Sequence, residues 1–385
     1  MRVLIFAPNY LPATRYGGPV RSTHGLARGL AGQGHEVHVL TTDVDGSGRL
    51  DVPLDRPVEM DGVHVHYRPI IPPRRIYFSP ALARLADEMV PYMDVVHVNG
   101  MFLWPGPRIA RAARRAGVAL VVSPRGMLMP EMIAGKSRLV KQAWIRAFER
   151  ANLAGARAIH LTSAGEAEGL RKTGLDLAPC MVIGNGVDAP DPAPTPAEIA
   201  AVWGDVPAGR RVAFLARLDW TKGVDLAIDA ARACPEVYLR IAGYDQIGLR
   251  EALLPRTRRS DGSRCAEFVG PLDGRAKWAF LAGADMLLAP SVRESFGMSV
   301  AEALAVGTPA IVTPGVGIRT ILAELDPELV EERTEEALAE SLLEWMRNGP
   351  RRKAVGQRAA SVMADRHGWH AAAQRMVSLY RGEPE

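Results

Sequence analysis

Cysteine is scarce in this 385-residue chain: Cys180, Cys234 and Cys265 are its three, widely separated and odd in number. That pattern argues against a disulfide framework and against a thiolate metal cage, and it fits a reducing, cytoplasmic setting. Long apolar runs are missing as well. The stretches 118–122 and 286–289 fall far short of the roughly 20 residues that cross a bilayer, so no spanning helix is expected. Arg2 precedes only residues 3–7 before Pro8 interrupts, too brief for the apolar core of a signal peptide, and this run reads as a first buried strand. No G-x-G-x-x-G turn follows it; Pro8, Asn9 and Tyr10 stand there instead, which argues against a nicotinamide dehydrogenase. Aromatic residues make up 6% of the chain and are not interleaved with its positive charge, so nucleic acid is not expected as a partner.

What is present is ordinary globular material, 48% apolar and 23% charged, in a chain longer than a single core usually supports. Two domains follow. The net charge of +4 is unevenly spread: 23 basic against 15 acidic residues before position 186 give +8, and 24 against 28 after it give −4. A basic first half suits an anionic membrane surface or a phosphorylated substrate, with Arg108, Arg111, Arg114, Arg115, Lys136, Arg138 and Lys141 supplying the field, and equally suits a solvated arginine-rich face.

Short β-branched runs at 3–7, 37–41, 63–67, 95–98, 118–123, 159–162 and 181–183 alternate with helical patterns, the signature of parallel strands joined by crossover helices. A helix beginning near Pro19 places Val20, Thr23, Leu26, Ala27 and Leu30 on one face before Gly32 and Gly34 end it. The proline-rich stretch 184–196 reads as a linker, after which the alternation restarts with strands at 212–216, 238–242, 267–269, 286–289 and 310–313. The expected boundaries are 1–185, with a C-terminal helix over 368–385 returning to it, and 186–367. Two such α/β domains present the C-terminal ends of their strands to a common crevice.

The stretch 293–307 holds the clearest chemistry. Glu294 is followed by Ser295, Phe296 and Gly297, and then, eight positions on, by Glu302; the run leaves a strand and opens a helix. Amides of Phe296, Gly297 and Met298 at a helix start make a seat for a phosphate, and Gly297 permits close approach. Glu302, a turn inside, is suited to a ribose diol, and Glu294 on the loop to sugar hydroxyls. Asp43-Val44-Asp45 matches the Asp-x-Asp pattern of metal-dependent transferases, but it lies in a polar run with Gly46, Ser47 and Gly48 and reads as a solvated loop.

Glu294 to Glu302 resembles the E-x7-E motif of the retaining family 4 glycosyltransferases of the GT-B fold. Phe214 to Gly223, FLARLDWTKG, resembles that family's strand-loop segment, in which an arginine and a lysine grip the donor diphosphate; Arg217 and Lys222 fall in those places. Ile183 to Asp188 is similar to the turn entering the linker, with Gly184 where proline is common. Tyr16-Gly17-Gly18 resembles the glycine loop beneath the donor phosphates, and Trp369 to Tyr380 the closing helix. The resemblance spans essentially the whole chain.

It implies an α/β fold of two Rossmann-like domains, the first facing the acceptor and the second holding the donor, and a metal-independent reaction with no further cofactor. Transfer of a hexose-type residue from a UDP- or GDP-sugar would keep the anomeric configuration, with Arg217, Lys222 and Glu294 at the reacting centre. Gly17, Gly18, Ser295, Phe296, Gly297, Met298 and Glu302 would contact the donor. A lipid-linked or oligosaccharide acceptor in polysaccharide assembly, with peripheral contact to an anionic membrane, completes the expectation. One position departs: Arg125 stands where the family often has a histidine that touches the donor sugar, and is open to an acceptor contact or a structural role. His97 and Asn99 line the acceptor side or pack. Two other readings are a nucleotide-sugar epimerase of the same architecture and a non-catalytic sugar-nucleotide binding module.

Overall fold

Valine and isoleucine restrict χ1 and pack well on a pleated surface, and the β-branched runs of this chain do form its strands. The structure, a computed structural model, describes residues 1–135 and 137–383. It divides into two compact units, Met1–Gly186 with Trp369–Glu385, and Val187–Gly368.

The strands in chain order are β1 (Arg2–Phe6), β2 (Glu36–Thr42), β3 (Val44–Asp45), β4 (Gly48–Arg49), β5 (Val58–Met60), β6 (Val63–Arg68), β7 (Val95–Asn99), β8 (Ala119–Ser123), β9 (Ala158–Leu161), β10 (Cys180–Val182), β11 (Arg211–Leu215), β12 (Tyr238–Ala242), β13 (Ala266–Gly270), β14 (Met286–Ala289) and β15 (Ala310–Val312). The first unit has an eight-stranded sheet in the order β10-β9-β8-β7-β1-β2-β6-β5, parallel except for the edge strand β5. The second has a fully parallel sheet in the order β13-β12-β11-β14-β15. Strands buried on both faces need helices on both faces, and the near-continuous apolar runs record that demand. In the second sheet the direction of strand succession reverses between β11 and β14, where such sheets open a ligand crevice beyond their C-terminal ends.

The helix Gly18–Ala31 starts on Pro19 and ends at Gly32. The C-terminal helix Trp369–Arg381 lies against it so closely that a Cβ on Gly25 would fall 2.1 Å from the Trp369 ring. An alanine there would have to displace the indole, so the contact requires glycine. The helix Gly349–Arg366 precedes this last one.

One expectation is overturned. Asp43 is not solvated: it is 1% exposed, takes a salt bridge from Arg49 at 2.5 Å and accepts the Ile70 amide at 3.3 Å. Asp45 pairs with Arg15 at 2.8 Å. The polar run folds as the small hairpin β3–β4, and both carboxylates of the Asp-x-Asp pattern are held by arginines.

Candidate functional site

The loop leaving β11 carries Arg217 and then the single turn Trp220–Lys222, capped by the Asp219 carboxylate, which accepts the Thr221 amide at 2.8 Å. Gly223 ends that turn in the left-handed region at φ +71°, with Pro290 so near that a Cβ would meet its carbonyl oxygen at 2.3 Å. The turn is tied to the loop leaving β14 by the Val292 amide, which donates to the Thr221 carbonyl at 2.8 Å. These constraints bring the Lys222 Nζ to 2.5 Å from the Glu294 Oε1, with the two side chains 15% and 26% exposed. Two residues 72 positions apart thus meet at the point where the strand order reverses.

Glu294 is fixed through its backbone as well. Its amide donates to the Gly315 carbonyl at 2.9 Å and its carbonyl accepts the Gly317 amide at 3.0 Å, a parallel bridge to the loop after β15. Phe296 is buried and its carbonyl accepts the Ile318 amide at 2.7 Å, while Ser295 and Met298 are half-buried. Gly297 then turns the chain at φ +105° into the helix Met298–Ala305; a Cβ there would lie 2.9 Å from Val316. Gly297, at the N-cap of this helix, has no side chain with which to cap it, and the helix start with the positive end of its dipole borders a small hollow lined by Phe214, Ala216, Ser291, Glu294, Gly297 and Val316. Arg217 is exposed, with Asp219 its electrostatic neighbour.

Glu302 lies on the inner side of that helix, 8% exposed, and its Oε1 receives the Lys277 Nζ at 2.5 Å. Lys277 is equally buried and sits 4.4 Å from the centre of the Trp278 ring. A diol at this place would share the carboxylate with Lys277, a partner that sequence reading did not supply. Asp219 was missed in the same way, although an Asp two residues before Thr221 is a recognisable turn signal.

The remaining site candidates belong to the first unit. Gly17 takes φ +69° and Gly18 begins the first helix, behind the turn Thr14–Tyr16. Arg125 follows β8 in the left-handed region at φ +53°, unusual for a side chain with a Cβ. Its Nε donates to the Asn99 Oδ1 at 2.9 Å and its Nη1 to the Asn185 Oδ1 at 2.9 Å. Burial holds the guanidinium below its usual range, with Glu166 opposing.

His97 has a packed role. Its Nδ1 is 2.7 Å from the Tyr380 hydroxyl and its Nε2 2.6 Å from the Ser123 Oγ, which is 2.6 Å from the His160 Nδ1; the His160 Nε2 is 2.9 Å from the Ile183 carbonyl. That carbonyl accepts without donating, and burial keeps both rings neutral, which together set the direction of the chain. His160 donates through Nε2, Ser123 donates to His160, His97 donates to Ser123, and Tyr380 donates to His97. Burial pushes His160 down to about 3 and His97 well below its ordinary value. Of the basic cluster, Arg111, Arg114 and Arg115 stand exposed on the helix Pro105–Ala116, where Arg108 reaches Asp87 at 3.4 Å; Lys136 lies outside the described residues.

Comparison with known proteins adds independent findings. The pattern described as Glycosyl transferase 4-like domain matches residues 17–186, and that described as Glycosyl transferases group 1 matches residues 198–362. The chain is 28% identical over 380 residues to a D-inositol 3-phosphate glycosyltransferase of Xylanimonas cellulosilytica, covering 92% of this chain and 89% of that protein. Among solved structures, the sucrose-phosphate synthase of Thermosynechococcus elongatus gives a TM-score of 0.76 at 18% identity, covering 99% of this chain and 98% of its own. HepE of Anabaena, in complex with UDP and glucose, gives 0.76 at 17% identity with 98% of each chain covered.

Proposed function

The chain belongs to the GT4-like glycosyltransferases and has their GT-B fold, and on that premise we propose that it transfers a hexose-type sugar from a UDP- or GDP-sugar with retention of configuration. The observation that carries the reading is the Lys222–Glu294 pair beside the start of the helix Met298–Ala305 at Gly297, at the reversal between β11 and β14. When the glycosidic bond breaks, the departing nucleoside diphosphate gains negative charge. Arg217, Lys222 and the helix-start amides stand ready to stabilise it, and one such donor is worth about 2.7–4 kcal/mol of barrier. In the free protein Lys222 and Glu294 neutralise each other. A bound diphosphate draws Lys222 to itself, and Glu294 is then available to the sugar hydroxyls.

Retention follows if the acceptor attacks on the face that the phosphate leaves, with the phosphate taking the acceptor's proton. The proposal includes no metal, since the positive charge one would supply is assigned to Arg217 and Lys222. Gly17 and Gly18 are assigned to the donor phosphates, and Arg125 to the acceptor. The related HepE structure contains UDP and glucose, which supports a nucleotide-sugar donor.

For the acceptor we propose a lipid-linked or oligosaccharide chain in polysaccharide assembly, met at an anionic membrane. The helices Pro130–Ala134 and Arg138–Trp144 and the turn Ile145–Glu149 support it, presenting Met132, Leu139, Val140 and Phe148 to solvent beside Arg138, Lys141 and Arg146. Leu139 is 79% exposed and Val140 66%, an arrangement that suits insertion among anionic headgroups.

The test is release of free nucleoside diphosphate from a panel of UDP- and GDP-sugars. Arg217→Ala and Glu294→Ala should each reduce release by about 100- to 1,000-fold while thermal unfolding stays unchanged. Full activity in either folded variant contradicts the proposal, and a sugar returned still attached to its nucleotide would mark an epimerase.

A further inference from the structure

We infer that Arg125, forked between Asn99 and Asn185, forms an oxyanion subsite that receives a carboxylate or phosphate monoester carried by the acceptor saccharide. The inference rests on the transferase reading for the word acceptor, and on the geometry alone for the subsite.

A half-buried cation is usually matched by a carboxylate, because taking a charge out of water without a partner is unfavourable. Arg125 has no carboxylate within salt-bridge distance among the described residues; both of its anchors are neutral amide oxygens. Glu166 is its closest acidic influence, yet that carboxylate is occupied. The Glu166 Oε1 accepts the Gly126 amide at 2.5 Å, and its Oε2 accepts the Thr162 amide at 2.9 Å and the Thr162 hydroxyl at 3.0 Å. His97 and His160 add nothing, since burial keeps both neutral. The guanidinium charge is thus not matched by a counterion among the described residues.

Geometry then says where the charge is aimed. Two neutral acceptors fix Nε and Nη1, which holds the plane of the fork and leaves both protons of Nη2 without an acceptor among the described residues. The side chain is half-buried rather than sealed in the core. The left-handed backbone at φ +53° is a strained state for a residue with a Cβ and is kept at the C-terminal edge of the sheet, beside the ends of β7 and β8. A preorganised guanidinium edge matches an oxyanion better than a neutral hydroxyl, because charge-assisted hydrogen bonds are about twice as strong as neutral ones.

The experiment is calorimetric titration of the full chain with inorganic phosphate and with glucuronate, and with glucose as the neutral control. It is run on the parent protein, on Arg217→Ala to silence the donor phosphate site, and on Arg125→Gln and Asn185→Asp. Oxyanion binding should persist in Arg217→Ala and weaken by about tenfold or more in Arg125→Gln, the expectation for loss of a charged hydrogen-bond donor. Asn185→Asp supplies an internal counterion in place of a neutral anchor and should weaken it likewise, which keeps the test decisive if Arg125→Gln does not fold. Tighter binding of phosphate or of glucuronate distinguishes the two sources. The inference is overturned if neither oxyanion binds the Arg217→Ala protein more tightly than glucose does, or if Arg125→Gln binds as the parent does. Should UDP and GDP fail to bind the parent while oxyanion affinity still follows Arg125, the transferase reading fails and the subsite stands.

Discussion

Glu149 carries its carboxyl into a place that water does not reach, 5% exposed at the end of the turn Ile145–Glu149, with the Trp144 Nε1 donating to its Oε1 at 3.1 Å. Burial pushes that carboxyl up to about 7. Between the ordinary carboxyl range near 4.5 and about 7, the folded chain is protonated there and the unfolded chain is ionised. Folding then takes up a proton, and the Glu149 contribution falls as pH rises through that window, by about 3 kcal/mol at full extent. His66, His97 and His160 act oppositely: each is held below its ordinary value, so their contribution falls as pH drops below about 6.5. Comparing Glu149→Gln with the parent isolates the carboxyl. The variant's thermal midpoint relative to the parent's should climb steadily from pH 5 to 7; a difference that stays flat across those pH values would rule the shifted carboxyl out. Neither this group nor the Lys277–Glu302 pair was legible in the sequence. A glutamate in an arginine-rich helical stretch looks solvated, and the pairing of Lys277 with Glu302 depends on how two helices pack, which no local spacing reports.

Among the elements, strands were the most legible, because an apolar β-branched run bounded by Gly or Pro carries its own signal. β12 and β14 have the expected limits, and the run after Glu294 does open a helix, Met298–Ala305. The hairpin β3–β4 was hidden, since its apparent polarity is satisfied by Arg49, Arg15 and the Ile70 amide rather than by water. The C-terminal helix makes a connection of the same hidden kind. Tyr380 donates the first hydrogen bond of the chain that runs through His97, Ser123 and His160 to the Ile183 carbonyl, linking the last helix to three adjacent strands. Tyr380→Phe leaves the buried His97 Nδ1 without its donor, which destabilises the first unit by about 1–3 kcal/mol. Urea unfolding followed by a probe in each unit should show that loss in the first unit and an unchanged second unit. Equal loss in both, or none, would mean the chain of hydrogen bonds has been misjudged.

At the scale of the whole molecule, two α/β units were readable from the restart of strand-helix alternation after a proline-rich stretch, and the chain does divide into Met1–Gly186 with Trp369–Glu385, and Val187–Gly368. The uneven charge was readable too, but the apolar residues that give it a target were not. Leu139, Val140 and Phe148 look like core residues until the structure exposes them. The protein should float with vesicles containing anionic lipid at low salt and detach at high salt, and Leu139→Glu with Val140→Glu should abolish flotation. Indifference to lipid charge would remove the membrane from the proposal while leaving the donor site intact.

The donor site is the central claim, and amide hydrogen exchange with and without UDP- and GDP-sugars tests it most directly. Protection is predicted at Lys222 and across residues 294–298, where the loop after β11 meets the helix start. No protection there with any donor, or protection confined to other segments, would contradict it.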